Sequence, residues 1–450
     1  MADIQIKKGH DIRITGVPKR EILKTPTSKC VAIRPVDFRN IKPKLYVKEG
    51  DTVKIGSPLF FDKKNPTVTW ASPGCGTISE IKYGPRRVIE QIVVQLDTQE
   101  EAVAHTTYAP GEISSLNRII ITESIQQGNL WPFIRQRPFN KIVNPEDTPR
   151  DIFISGINTA PLTVDLDLTL SDKQVPFQAG INMLRQLTSG SVHLTIGKNS
   201  TCETFTALQN VELHRITGPH PAGNVGIQIH HIRPLKPGDI VWTVQAQHVA
   251  TLGNFFLTGK FDPTILISVG GPSVENPIHL KTRIGVQLET ILKHNVVGKN
   301  NRFISGNPLT GTETELDGFL GYYDTTVSVI PEGRERKFLG MLAPGSSKSQ
   351  YSLSKTFLGT KNRKFPFTTL QNGSIRAIVP IGAWESVLPM NILPNPLYRA
   401  ILARDIDEME KLGIIECDEE DFALCTFACP SKINVGTVIR QGLELMEKEG

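Results

Sequence analysis

The stretch that most constrains this chain runs from Val47 to Ile81 and reads VKEGDTVKIGSPLFFDKKNPTVTWASPGCGTISEI. Its apolar runs are short and are cut by turn chemistry at Glu49-Gly50-Asp51, Gly56-Ser57-Pro58, Asn65-Pro66 and Ser72-Pro73-Gly74. Glycine and proline supply backbone angles that other residues resist, so the pattern predicts a compact unit of short strands.

The order EGD-x-V-x-x-G-x-P-L followed by ASP-x-x-G-x-I resembles the lipoyl/biotinyl carrier domain, in which two similar halves fold into a flattened barrel. Such a domain presents one lysine at a hairpin tip, and Lys63, after Asp62, falls at that place. Here the hairpin is lengthened by Lys64-Asn65-Pro66, and the Met-Lys-Met of biotin carriers is missing. The expectation is the carrier fold without its chemistry, with Lys63 an exposed hairpin lysine.

At 450 residues the chain has the length of about three domains and ample core. A hydrophobic fraction of 39% and a mean hydropathy of -0.15 are those of a soluble globular protein. No apolar run approaches the roughly 20 residues that cross a bilayer; even residues 378–393 are broken by Pro380, Glu385 and Pro389. The opening MADIQIKKGHDIRI lacks an apolar core before a cleavage site, so the compartment is expected to be cytoplasmic. Six cysteines are too sparse for a disulfide scaffold and are expected as thiols. The net charge of +5 is uneven: basic residues crowd the segment from Lys7 to Lys48, and acidic ones crowd Asp405 to Asp421. Such polarity suits docking on a partner or an anionic surface. Nucleic acid is not expected, because no aromatics interleave the basic residues in a binding module.

Four regions follow in order, and the predicted fold class is multidomain α/β. Residues 1–104 hold the leading segment and the carrier-like β-unit, which closes near Leu96 after the strand VIEQIVVQL. Residues 105–258 alternate: NRIIITESIQQ as a helix ending at Gly128, DIFISGI as an inner strand, GINMLRQLTS as helix, SVHLTIGK and VELHRITG as strands. That alternation predicts an α/β domain. Residues 259–330 contain TILISVGGPSVENPIHLKTRIGVQLETIL, two β-runs about a Gly-Gly-Pro turn and then a candidate helix. Residues 331–450 begin as a β-rich connector, include Ser346 to Gln350 as a predicted loop, and end in a helical tail. In that tail LYRAILARDIDEMEKLG is predicted to run as helix to Gly413.

The combined order of these regions resembles the flavin-binding subunit of respiratory complex I and its relatives in ion-pumping redox complexes. The phrases GPHPAGNVGIQIHHI and KPGDIVWTVQAQHVATLGNFFLTGKF are most similar to the A-subunit family of Na⁺-translocating NADH:quinone oxidoreductases. The likeness extends over essentially the whole chain, and it marks residues 259–330 as resembling a soluble-ligand-binding β-grasp unit. It implies a peripheral subunit on the cytoplasmic face of the bacterial inner membrane, docked on membrane-embedded partners of a complex that couples NADH oxidation and ubiquinone reduction to sodium export. NADH, flavins and iron–sulfur clusters would then belong to partner subunits. Two alternatives stay open: an assembly scaffold without substrate contact, and a lipoyl- or biotin-type carrier.

Two cofactor sites of the flavin-binding relative can be checked residue by residue. Its flavin phosphate rests on G-x-G-G-x-G-F-P, where bare backbone N–H groups approach the anion. The corresponding place here, Leu130 to Phe139, carries bulky side chains and two prolines, so no flavin is expected to fit in that manner. The relative's iron–sulfur motif, C-x-x-C-x-x-C-x-x-x-C-P, needs four thiolates. In CDEEDFALCTFACP, Cys425 and Cys429 keep the last two positions, Phe422 and Glu419 replace the first two, and Cys417 is out of register. We therefore expect no catalytic residue, no metal and no cofactor in this chain, with Cys417, Cys425 and Cys429 a degenerate motif.

Other polar residues carry weaker signals. His214, His220, His230 and His231 gather about a Pro-Ala-Gly turn; strand alternation would send His230 and His231 to opposite faces, so joint metal ligation is not expected and a structural or interface role is. Asp151 to Asn158 would sit at a strand's carboxyl end, where nucleotides bind, but no G-x-G-x-x-G follows. Trp131, Phe133, Arg137 and Phe139, with Arg135, form an aromatic and guanidinium patch suited to stacking a quinone head group, and are the candidate quinone contacts.

Overall fold

The computed structural model describes residues 2–24, 26, 28–335, 351 and 363–450, so the predicted Ser346 to Gln350 loop lies outside the described residues. Two small antiparallel sheets make the amino-terminal unit. One orders Cys30–Ile33, Ile89–Leu96, Gly76–Tyr83 and Thr52–Val53; the other orders Pro43–Leu45, Pro58–Asp62 and Asn65–Ala71. In its core Phe60 stacks on Trp70 with ring centres 4.5 Å apart, and Phe38 tilts against Trp70 at 5.0 Å.

The hairpin tip differs from expectation. Asn65 pairs with Asp62, so the tip is Lys63-Lys64 alone and Asn65-Pro66 opens a strand instead of forming a turn. Buried Asp62 explains this, because its Oδ1 accepts from the Lys64 N–H at 3.0 Å and the Lys42 N–H at 2.8 Å. Proline is tolerated at the start of a strand, where few ladder bonds need its missing donor. Lys63 is exposed at this tip.

The central sheet has seven strands in the order Asp3–Gln5, Glu212–Thr217, Val192–Gly197, Ile152–Ser155, Val241–Val244, Ile134–Arg137 and Lys141–Ile142. The first five run parallel, and the last two turn antiparallel. Parallel strands need crossover helices; Gln174–Arg185 lies in the crossover from Ile152–Ser155 to Val192–Gly197 and packs against Ala246–Thr258, which leads from Val241–Val244 to the second sheet. The helix Arg118–Gln127 begins where Asn117 Oδ1 accepts from the Ile120 N–H at 2.9 Å, and it ends at Gly128. A β-carbon at Gly128 would sit 2.5 Å from the Phe255 ring, so the close approach of that ring requires glycine.

A second, six-stranded sheet orders Thr312–Thr314, Asn301–Ser305, Thr326–Pro331, Thr264–Gly270, Ile278–Arg283 and Ile22–Lys24. The leading segment is thus shared out, with Asp3–Gln5 and Ile22–Lys24 pairing into two different sheets. The last region is helical: Pro394–Ala403, Ile406–Lys411, Ala423–Ala428 and Val435–Glu449. The single run expected up to Gly413 is two helices. Arg404 takes a left-handed backbone, φ 58°, and Asp405 caps the second helix by accepting from the Glu408 N–H at 3.0 Å. Capping by a short carboxylate outcompetes continuation. Among the described residues no helix is long and apolar enough to cross a membrane.

His230 and His231 lie on the helix Val225–Ile232, not on a strand. The run GIQIHHI alternates like a strand, but it follows the Glu212–Thr217 strand inside a crossover, and tertiary context overrides the local pattern. His230 Nδ1 meets Glu416 Oε2 at 2.8 Å, and His231 Nε2 meets the Pro389 carbonyl at 2.9 Å.

Candidate functional site

A cleft of about 800 Å³ opens where three parts of the molecule meet. The central sheet supplies Ser155 and Val244, at the carboxyl ends of two parallel strands, together with Asn158, Gly223 and Asn224 from the loops beyond. The six-stranded sheet and its loops supply Gly306, Asn307, Leu309 to Gly311 and Tyr323 to Thr326, and the helical region supplies Asp418 to Glu420 and Arg440. Carboxyl ends of parallel strands are where α/β sheets receive ligands, because the loops there diverge.

One wall is built by Arg135 and Tyr323. The Arg135 guanidinium lies 4.6 Å from the centre of the Tyr323 ring, and the Tyr323 hydroxyl donates to the Pro132 carbonyl at 2.6 Å. Gln245 Nε2 donates to the Tyr323 carbonyl at 3.1 Å, fixing the same residue from the sheet side. Burial raises the Tyr323 hydroxyl above its usual range, so it stays a neutral donor. Behind this wall Phe133 stacks on His248 at 4.2 Å and on Tyr322 at 5.4 Å. Burial, and then the Arg135 charge, push His248 down to about 3, leaving it neutral. Trp131 is fully buried, donates from Nε1 to the Val143 carbonyl at 2.9 Å, and meets Trp242 edge-on at 5.8 Å.

The structure therefore distributes the aromatic and guanidinium patch. Arg135 faces the cleft, while Trp131 and Phe133 back the wall from the core. Phe139 is half-buried beside Lys141 and packs on the helical region. Arg137 points into an ion-pair network. Tyr323 and Gln245 carried no signal in the sequence beyond the Tyr322-Tyr323 doublet. Asp151 sits at the amino end of its strand, opposite the cleft, fully buried and held by Arg233 Nη1 at 2.8 and 3.0 Å. The expected pairing of Asp151 with Asn158 at one carboxyl end is thus corrected. The strand begins at Ile152, so the two residues flank opposite ends of it.

The floor of the cleft is the acidic segment Asp418 to Glu420, which borders the three cysteines of the tail. Buried Arg137 Nη2 contacts Asp418 Oδ2 at 3.0 Å and Glu420 Oε1 at 2.5 Å, and its Nη1 lies 3.9 Å from Asp421 Oδ2. Arg440 Nε donates to Glu419 Oε2 at 2.9 Å and its Nη2 to Asp418; Arg39 reaches Asp418 at 3.5 Å and also Glu419. Asn140 Nδ2 donates to Asp418 Oδ2 at 2.7 Å. Arg39 comes from the basic leading region, so part of the charge separation seen in the sequence is neutralised within the fold. Burial, and then the neighbouring Glu420 charge, raise Asp421 to about 8 against the pull of Arg137. With Asp421 neutral, the three guanidinium groups of Arg39, Arg137 and Arg440 balance the three carboxylates of Asp418, Glu419 and Glu420.

The cysteines take no part. Cys425 Sγ points at the Trp384 carbonyl at 3.8 Å and Cys417 Sγ at the Gly413 carbonyl at 3.5 Å, and burial raises both thiols. Phe422 is fully buried in the helical core and Glu419 is ion-paired. Among the described residues these sulfurs do not converge on a common point, so the residues present do not fit a four-thiolate cluster. At the flavin position, Trp131 to Phe133 form a buried turn whose Pro132 has no N–H to offer. A phosphate cradle of bare amides does not fit there.

Comparison with known proteins gives a consistent result. Three family models match: the NqrA N-terminal barrel-sandwich hybrid domain over residues 4–97, the NqrA second alpha/beta domain over 116–261, and the NQRA C-terminal domain over 266–315. The chain is 38% identical over 450 residues to the A-subunit of the Na(+)-translocating NADH-quinone reductase of Pasteurella multocida, covering 99% of this chain and 100% of that one. The proteins of the same name from Vibrio alginolyticus and Neisseria meningitidis are also 38% identical, with the same coverage.

Proposed function

Because the chain belongs to the A-subunit family of the Na⁺-translocating NADH-quinone reductases, we propose that it is the peripheral subunit of such a complex, docked from the cytoplasmic side on membrane-embedded partners. In this reading it holds no tightly bound flavin or iron–sulfur cluster, NADH is oxidised in partner subunits, and the isolated chain is not catalytic. The observation that supports the reading is the acidic segment of the degenerate motif, where Arg137, Asp418 and Glu420 form redox-inert ion pairs at the cleft floor while Cys417 and Cys425 turn to backbone carbonyls. Such a network keeps the cleft shaped while conducting no electrons.

The cleft is then the place for the ubiquinone head group. Arg135 and Tyr323 present a cationic plane and an aromatic face at its wall, and Trp131 and Phe133 hold that wall in place. A planar, carbonyl-bearing ring stacks on such a surface and accepts hydrogen bonds from the guanidinium. Titration of the purified chain with a short-tailed ubiquinone, followed by tryptophan emission, tests this. Saturable quenching that weakens by about tenfold in an Arg135→Ala, Tyr323→Ala variant, the size expected from losing one charge-assisted bond, supports it. No response in the unaltered chain would contradict quinone contact and leave assembly as the role of the chain.

A further inference from the structure

At the opposite end of the central sheet from the cleft, three side chains converge that the proposed function does not use. Strands Val192–Gly197 and Glu212–Thr217 run parallel, with His193 opposite Glu212 and Thr195 opposite His214. Residues two apart on a strand share a face, so Glu212 and His214 stand together on the face that carries His193. His193 Nδ1 lies 3.0 Å from His214 Nε2 and 3.5 Å from Glu212 Oε2, and the ligand atoms of all three residues lie within 4.8 Å of one another.

We propose that His193, His214 and Glu212 form a binding site for one borderline divalent transition cation, with Zn²⁺ its natural probe and a fourth position open to water. A zinc ion with bonds of about 2.0–2.1 Å in tetrahedral geometry separates its ligand atoms by roughly 3.3 Å, and the two observed separations fall on either side of that value. Both imidazoles are buried, while the Glu212 side chain is half exposed and gives the ion a way in.

The surroundings hold each ligand in the required orientation. Ser191 Oγ donates to Glu212 Oε1 at 2.5 Å, which leaves Oε2 turned toward the histidines. His193 Nε2 faces Asp151 Oδ1 at 3.7 Å and otherwise has no hydrogen-bond partner, and Asp151 is itself fixed by Arg233 and by the Ser191 N–H. A carboxylate behind a ligating imidazole is the arrangement that sets its tautomer and strengthens it as a donor. The Phe153 ring, stacked at 4.6 Å, fixes the plane of His193.

In the metal-free chain the Ala2 N–H donates to His214 Nδ1 at 3.2 Å, so the hydrogen between the two imidazoles sits on His214 Nε2 and points at His193 Nδ1. Ligation through Nε2 displaces that hydrogen, and His214 takes one up at Nδ1 while the Ala2 N–H turns aside. His214 stays neutral throughout, so the exchange of tautomers releases no net proton.

The test is Zn²⁺ titration of the full, chelator-stripped chain against a chromophoric chelator, with Co²⁺ absorption as a second readout. The expected result is one equivalent per chain and tetrahedral Co²⁺ bands. Glu212→Gln, on a half-exposed side chain, weakens binding by about tenfold or more, and His193→Gln with His214→Gln abolishes that equivalent. Unfolding curves without metal establish that each variant is folded. No stoichiometric uptake by the unaltered chain, or uptake and Co²⁺ bands unchanged in folded Glu212→Gln, would overturn the proposal.

Discussion

Arg137 Nη2 sits 3.0 Å from Asp418 Oδ2, and both side chains are almost wholly removed from solvent. The contact joins the central sheet to the helical region at residues that are distant in sequence. Deleting one member of a buried pair leaves an uncompensated charge, which costs about 3–5 kcal/mol. Arg137→Met is therefore expected to destabilise the chain by that order, measured by urea unfolding. The double variant with Asp418→Asn should lose less than the sum of the two singles, because it removes one charge of each sign from the network, whereas each single variant leaves the network with a net charge. Additive losses would show that the pair is not coupled.

The same network carries a pH dependence. An unfolded aspartate titrates near pH 3.9, whereas folded Asp421 is raised to about 8 by burial and by Glu420. Between these values the folded chain holds the extra proton, so stability falls as pH rises through the window from about 4 to about 8. Asp421→Asn, which mimics the neutral carboxyl, should remove this part of the slope and make the chain more stable than the unaltered one above about pH 8. Unfolding free energies at about pH 5, 7 and 9 measure it.

Gly128 permits the approach of Phe255, whose ring carbon would lie 2.5 Å from an added β-carbon. Overpacking of this kind costs about 1–3 kcal/mol. Gly128→Ala should lower the unfolding free energy by that amount, while Gly111→Ala, where nothing stands within 4 Å, should leave it almost unchanged.

Lys63 occupies an exposed hairpin tip, and Asp62 closes the turn tightly beneath it. With no group attached at this lysine, the intact mass of the purified chain should equal that of the bare polypeptide. A mass increase that vanishes in Lys63→Arg would make the carrier alternative correct.

The sequence revealed those elements whose boundaries are marked locally. Asn117 and Gly128 bracket a helix, and Ile152–Ser155 is a short apolar run between turn residues. It misled where a local pattern was ambiguous: GIQIHHI alternates like a strand yet folds as a crossover helix, and Asp405 interrupts what reads as one continuous helix. The cleft was the least legible part. Arg135 meets Tyr323, and Arg39 and Arg137 meet the Asp418 segment, only after distant parts of the chain are brought together. Spacing along the chain carries no trace of such pairings. The acidic run from Asp405 to Asp421 read as a docking surface, yet Asp418 and Asp421 are buried and several of its carboxylates turn inward to arginine. His193 gave no signal at all, since its partners Glu212 and His214 reach it across a strand pair.

That the chain works as the peripheral part of a membrane-bound NADH-quinone reductase is tested most directly by purifying the tagged full chain from detergent-solubilised membranes, with and without high salt. Na⁺-stimulated NADH:quinone reductase activity is then assayed in what is recovered. Membrane-spanning redox partners are expected to co-purify with the chain and to carry that activity. Recovery of the chain alone from the soluble fraction, with the membrane activity intact in its absence, would contradict this role.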